Sequence, residues 1–389
     1  MKIVLMSTIP ISSVLNNLPL ARELRNHGHE IIFCFADGTE AEIIRSEGFQ
    51  VKILSMRRKP FSLRNAIAVI KLTAFLRKND VKVIGTTTHV ASFVGRLAGG
   101  LAGVPLRINT IRGMFPRETH KWQSMLFDLT EMILHRINSF TITINEKDKQ
   151  ELLEKGFAEQ DNITCIGCGG FGIDLKIFDP NKYDGVTITQ MREKLGITEN
   201  DFVVTFIGRL TTEKGIMDYV EIIEELLRKY PDIKGLVVGD AFKDEHKAVT
   251  RSQLEVVLGE KSINSNVTLT GYRDDVPELI AVSDVVVLPS KREGFGMTLA
   301  EAAVMEKPVV AYRCRGVEEA VIDGKTGFII EPGDIEGFTE TIQFLYNNRN
   351  RAREIGQAAR VEAIGRFGQE EVLKRYVTIY EEAIYKKFR

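Results

Sequence analysis

Short unbroken apolar runs recur along the chain, separated by stretches whose apolar residues return every three or four positions. KIVLM (2–6), IIFCF (31–35) and VKIL (51–54) are of the first kind, the pattern of strands covered on both faces. Leu15, Leu18, Leu20 and Leu24 are of the second kind and predict a helix after the loop 7–13, closed by the turn 26–29. A further helix is expected over 40–48. This βαβ winding continues through a strand over 81–85, the small-residue helical segment AGGLAG, the strand RINTI, and strands over 140–144 and 163–166 with the helix EKDKQELLEKG between them.

The winding starts again after DPNKYDG (179–185). FVVTFIG (202–208), KGLVVGD (234–240) and NVTLTGY (266–272) read as strands, and GIMDYVEIIEELLRKY (215–230) and VPELIAVS (276–283) as helices. Residues 283–313, SDVVVLPSKREGFGMTLAEAAVMEKPVVAYR, add a buried strand, a glycine-containing loop, a helix starting near Met297 and another strand. Val372, Tyr376, Ile379, Tyr380 and Ala383 form one apolar stripe on a C-terminal helix. The expectation is an α/β protein of two doubly wound, Rossmann-like domains, 1–183 and 184–368, followed by the helix 369–389.

Length agrees, since 389 residues exceed one ordinary core. An apolar fraction of 44% and a charged fraction of 27% are those of a soluble globular protein. KIVLM is too short for a signal peptide and no run of 18 apolar residues exists, so a cytoplasmic location is expected. Cys165 and Cys168 make a C-x-x-C without a second pair or neighbouring histidines; with Cys34 and Cys314 they read as structural thiols.

Charge is uneven along the chain. Residues 1–185 hold 24 Lys+Arg against 19 Asp+Glu, which leaves 28 against 34 of the totals of 52 and 53. Residues 51–80 concentrate it: Lys52, Arg57, Arg58, Lys59, Arg64, Lys71, Arg77 and Lys78 face one acid, Asp80, and alternate with Phe61, Leu63, Ile67, Ile70, Phe75 and Leu76. Either this segment packs its apolar side on the sheet with its charges in water, or part of it docks on an anionic membrane surface. No nucleic-acid recognition motif accompanies the charge, so nucleic acid is not an expected partner.

The chemistry concentrates at the helix start near 297. Gly294 and Gly296 let the backbone of 295–298 approach a ligand closely, and the free N–H groups and positive dipole end of the helix favour a phosphate or sugar oxygen. Glu293 and Glu301 flank that point, and a carboxylate can accept two hydrogen bonds from a vicinal diol. A dinucleotide-dependent oxidoreductase fits poorly, because the first strand-to-helix turn, MSTIPISS, contains no glycine.

The E-x7-E spacing of Glu293 and Glu301, GRLTTEKG (208–215), TGYRDDVPELI (270–280) and GCGGFGIDLKIF (167–178) together resemble retaining glycosyltransferases of family 4, group 1. That resemblance implies a GT-B fold, two Rossmann-like domains facing a cleft, with the C-terminal helix crossing back to the first. It implies transfer of a hexose or N-acetylhexosamine from a nucleotide diphosphate sugar, UDP-sugar favoured, to a glycan or lipid-linked acceptor in polysaccharide biosynthesis, with retention at the anomeric carbon. Glu301 would bind the ribose hydroxyls and Glu293 the donor sugar, with Arg209 and Lys214 on the diphosphate.

Gly208, Phe295, Gly296, Met297, Thr298 and Tyr272 would complete the donor side. Arg112 stands where the family often has a histidine on the donor sugar. Ser7, Thr8 and Ser12, with His89 and His120 in flanking loops, would face the acceptor in the first domain. Asp274-Asp275 lacks D-x-D spacing, so no metal or cofactor is expected; Arg209, Lys214 and the helix end at 297 would stabilise the leaving group. Location on the inner face of the cell membrane would suit such an acceptor. A nucleotide-sugar epimerase and a non-catalytic nucleotide-sugar-binding subunit are the competing readings.

Overall fold

The computed structural model describes residues 1–57, 62–113, 130–242 and 247–389. Arg58, Lys59, Phe61 and His120 lie outside the described residues. The chain divides into two compact units, one of residues 1–172 and 369–389, the other of residues 173–368.

In the first unit seven parallel strands stand in the order β3-β2-β1-β4-β5-β6-β7. They are β1 (Lys2–Met6), β2 (Glu30–Phe35), β3 (Gln50–Ile53), β4 (Val83–Thr87), β5 (Leu106–Ile111), β6 (Phe140–Thr143) and β7 (Ile163–Cys165). The second unit holds six, in the order β10-β9-β8-β11-β12-β13: β8 (Phe202–Ile207), β9 (Ile233–Val238), β10 (Val267–Gly271), β11 (Val285–Leu288), β12 (Val309–Tyr312) and β13 (Phe328–Ile330). Strand order reverses between β1 and β4 and again between β8 and β11, and beyond such switch points α/β sheets hold their ligands. The central strands β4, β8, β11 and β12 are buried along their whole length, which is why β8, β11 and β12 read as near-continuous apolar runs.

Strand β4 runs two residues beyond the expected 81–85, because its threonines are satisfied inside the sheet. Thr86 donates to Asn109 Oδ1 at 3.0 Å and Thr87 to the Met6 carbonyl at 3.3 Å. After β1 a π-helical turn over Ser13–Asn17 precedes helix α1 (Leu18–Asn26). The wider turn breaks the 3.6-residue register, so Leu18, Leu20 and Leu24 are buried as expected while Leu15 is 67% exposed.

Helix α2 (Leu63–Lys78) also departs from a single apolar face. Asn65, Ala68, Val69, Leu72 and Leu76 are buried, whereas Leu63, Ile67 and Ile70 point to solvent at 79%, 43% and 70% exposure. Helix α3 (His89–Ala102) follows β4. In the second unit α4 (Ile216–Leu227) follows β8 and α5 (Met297–Val304) follows β11.

The chain returns to the first unit as α6 (Gln369–Phe388), burying Val372, Tyr376, Tyr380 and Ala383. Its seat needs a glycine: a Cβ at Gly85 would lie 2.3 Å from the Tyr380 hydroxyl. His29 Nε2 and Glu381 Oε1 meet 2.7 Å apart at its outer edge. Residues 173–183, grouped with the first domain by the sequence reading, pack in the second unit, where the Ile173 amide donates to the Phe367 carbonyl at 2.7 Å and Asp179 faces Arg360 at 3.6 Å.

Candidate active site

In the second unit the loops after β8 and β11 are strapped together at the switch point. Gly215 has φ +78°, and a Cβ there would lie 1.7 Å from the Pro289 carbonyl oxygen, so only glycine lets the two loops touch. The Lys291 amide donates to the Glu213 carbonyl at 2.9 Å, and the Ser290 hydroxyl to the same oxygen at 3.2 Å. Gly316, in the loop after β12, packs on the other side; its Cβ would come within 2.3 Å of the Gly294 carbonyl and the Phe295 amide nitrogen. Phe295 itself is buried edge-on against Phe367, with ring centroids 5.3 Å apart.

This frame carries the expected charges. Lys214 Nζ and Glu293 Oε1 lie 2.5 Å apart with side chains 19% and 9% exposed, an ion pair the spacing of the motifs does not disclose. Arg209, at the end of β8, is exposed. Gly296, in the left-handed region at φ +82°, precedes α5, on which Met297 and Thr298 are half-buried. One turn on, Glu301 is half-buried with no ion-pair or hydrogen-bond partner for its carboxyl among the described residues. Desolvation alone pushes that carboxyl up to about 7. Gly208 is half-buried beside β9, and Tyr272, after β10, is 72% exposed.

Cys314, read from the sequence as a structural thiol, belongs to this frame. Its thiol is pushed up to about 12, first by burial and then by the Glu293 carboxylate.

In the first unit two of the expected acceptor-side hydroxyls are engaged internally. Ser7 is fully buried, 2.5 Å from the Ser13 hydroxyl and donating to the Ile9 carbonyl at 3.1 Å. Thr8 ties the β1 loop to the β4 loop, its hydroxyl 2.8 Å from that of Thr88 and accepting from the Ala91 amide at 3.0 Å. Ser12 is half-buried. Thr88 is held at φ +76°, a strained position for a β-branched residue, immediately before His89 starts α3.

Thr88, exposed His89 and Arg112 border a cavity at the C-terminal ends of β4 and β5 that the sequence reading did not anticipate. Arg96, 2% exposed, crosses to Glu131, with Nη2 3.0 and 2.9 Å from its two carboxylate oxygens. His135 lies 3.4 Å from the same carboxylate and stacks on Phe157. The one available signal was a lone arginine in the otherwise small and apolar helix HVASFVGRLAGGLA; its partner lies 35 residues away.

Residues 18–169 match the Glycosyltransferase Family 4 description and residues 187–362 the Glycosyl transferases group 1 description. The chain belongs to glycosyltransferase family 4, group 1. Among similar proteins, the capsular polysaccharide biosynthesis glycosyltransferase CapM of Staphylococcus aureus is 25% identical over 380 residues, covering 95% of each chain. The UDP-Gal:alpha-D-GlcNAc-diphosphoundecaprenol alpha-1,3-galactosyltransferase of Escherichia coli is 26% identical over 287 residues, 72% of this chain and 70% of that one. Anabaena HepE, solved in complex with UDP and glucose, superposes with a TM-score of 0.81 at 21% identity, over 98% of this chain and 100% of that one. The two Rossmann-like sheets of this glycosyltransferase are therefore those of the GT-B fold, as the motif resemblance implied.

Proposed function

We propose that this glycosyltransferase moves a hexose or N-acetylhexosamine, with retention, from a UDP-sugar to a lipid-linked or glycan acceptor of polysaccharide assembly. In this reading the second unit takes the donor and the first takes the acceptor. The observation that carries it is Glu301: a half-buried carboxylate without a partner among the described residues, one turn into a glycine-preceded helix, is left for a ligand to satisfy. A ribose diol supplies two donors to such a group, and the N–H groups at the start of α5 suit the diphosphate.

Lys214 and Arg209 are the proposed cations for the leaving group, doing without a metal ion what a divalent ion does in other transferases. Lys214 starts bound to Glu293, so a donor diphosphate would share a charge already held in place, and Glu293 would stay beside the sugar. Gly208, Phe295, Gly296, Met297, Thr298 and Tyr272 are proposed to line the donor. His89 and Ser12 are proposed on the acceptor side. CapM acts in capsular polysaccharide biosynthesis and the E. coli relative on a diphosphoundecaprenol-linked sugar, which favours a comparable acceptor.

The outer face of α2 supports a membrane-linked acceptor. Leu63, Ile67, Ile70 and Ala74 form an exposed stripe beside exposed Arg64, Lys71 and Lys78, an arrangement suited to lying on anionic lipid. No described helix is long and apolar enough to cross a membrane.

Incubation with radiolabelled UDP-sugars and a membrane lipid extract tests the whole reading. Release of UDP together with label in the organic phase is expected for one donor. Interconversion of the sugar while it stays on the nucleotide would instead reveal an epimerase.

A further inference from the structure

The cavity bordered by β4, β5 and α3 is built around positive charge that the described residues do not neutralise. Glu131 answers Arg96 through Nη2, and Arg96 Nε donates to the Ser92 carbonyl at 3.3 Å, but Nη1 is buried without a partner among the described residues. Arg112, at the end of β5, lays its guanidinium over the Phe171 ring at 5.5 Å, and its Nε and Nη2 are likewise buried and unpartnered. Burial holds the Arg112 guanidinium below the usual arginine range. The other groups beside it, Tyr376 and Cys168, are a buried phenol and a buried thiol, both pushed up by burial, and neither brings negative charge at neutral pH.

Counting the ions gives the class of ligand. Two guanidinium groups face one carboxylate, and His135 is neutral at pH 7 because burial, then Arg96, pushes it down to about 4. Among the described residues, one positive charge is left over. Nε and Nη2 of Arg112 form the same edge of the guanidinium, a two-pronged donor matched to the two oxygens of a planar carboxylate. A phosphate group carries more charge than this surplus, and a neutral hydroxyl leaves the charge uncompensated. Ser92 and Asn109, hydrogen-bonded to each other at 2.7 Å, supply a neutral polar wall suited to hydroxyl groups.

We infer that this cavity receives the carboxylate of an acidic sugar, a uronate-type unit, gripped by the Nε–Nη2 edge of Arg112, with the Arg96–Glu131 pair holding the wall behind it. The inference rests on the transferase reading only for how that unit arrives. On the acceptor side it is a uronate residue of the growing glycan; on the donor side it is a nucleotide-bound uronate.

Calorimetric titration of the full-length protein with methyl glucuronide and methyl glucoside, at equal ionic strength, tests the carboxylate directly. Wild type is expected to bind the glucuronide at least about tenfold more tightly, the worth of one to two charge-assisted hydrogen bonds. Arg112→Gln, with its fold checked by near-UV circular dichroism, should erase that preference, and Arg112→Lys, which keeps the charge but loses the fork, should leave only part of it. UDP-glucuronate against UDP-glucose forms the second arm: an Arg112-dependent preference there, without one for the free glycoside, supports the carboxylate site and puts its carrier on the donor. Equal binding of acidic and neutral sugars in both arms overturns the inference, as does a preference that survives in Arg112→Gln or tighter binding of inorganic phosphate than of the glucuronide. Plain UDP serves as a control on the proposed function: a wild-type protein that binds glucuronide but no UDP contradicts that function and leaves this site standing.

Discussion

Lys214 and Glu293, 79 positions apart, form an ion pair between the loops that follow β8 and β11. Each is the other's only recorded salt-bridge partner among the described residues, and both are largely shielded from water. The proposed leaving-group cation and the proposed sugar-side carboxylate are thus one electrostatic unit. Lys214→Ala strands Glu293 beside the Cys314 thiol and should lower unfolding free energy by about 1–3 kcal/mol while cutting turnover by about 10²–10³. Glu293→Gln still offers Lys214 an acceptor oxygen, so its stability loss should be smaller. Urea unfolding with donor turnover checks both; unchanged stability in Lys214→Ala with less than a threefold loss of turnover would contradict the coupling.

Glu301 makes stability depend on pH in a defined direction. Its folded carboxyl, near 7, lies above the ordinary value of 4.5, so the folded state prefers the proton. Its stability contribution is complete below about pH 4.5 and is lost as pH rises towards 7. At about 1.4 kcal/mol per pKa unit, discounted for partial exposure, Glu301→Gln should stabilise the protein by about 2–3 kcal/mol at pH 8 and by little at pH 4.5. His135 titrates in both proteins and cancels in the difference. A difference between the two that is flat from pH 4.5 to 8 would refute the shift.

The loop frame should be sensitive to a single methyl group. Gly316 has an ordinary negative φ of −96°, so Gly316→Ala acts by contact alone, pushing on Gly294 and Phe295 from 2.3 Å. Displacing the start of α5 should reduce turnover by ten- to a hundredfold, roughly the effect of a 1 Å misplacement, with the thermal midpoint lowered by only a few degrees. Initial rates and a thermal scan settle it; full activity would mean the frame does not position the site.

Membrane docking by α2 predicts two separable effects. Ile67→Glu with Ile70→Glu changes exposed residues only, so stability should stay within about 0.5 kcal/mol, while flotation with anionic liposomes should fall. Raising salt should weaken flotation of the wild type, since each basic residue near the surface contributes about 1 kcal/mol. Equal flotation of wild type and variant would remove α2 as the docking face.

Much of the fold was legible because strands buried on both faces leave continuous apolar runs: β8, β11 and β12 stand within one or two residues of where VVTF, VVVL and VVAY put them. Gly296 also told where a loop approaches a helix start. What was hidden depends on contacts between distant residues. Nothing local announces that Arg96 pairs with Glu131, that Cys314 abuts Glu293, or that Ser7 spends its hydroxyl on Ser13. The π-turn that exposes Leu15 and the second, outward apolar stripe of α2 are departures from the regular period on which such reading depends.

The central claim, that Glu301 is the residue the nucleotide satisfies, is tested most directly by the UDP affinity of wild type and Glu301→Ala, titrated calorimetrically at pH 8, where the wild-type carboxyl is mostly ionised. Loss of a charge-assisted contact to the ribose diol predicts a weakening of about 1.5–3 kcal/mol, roughly ten- to 150-fold, in a variant that folds as stably as the wild type or more so. An affinity within twofold of wild type would contradict it.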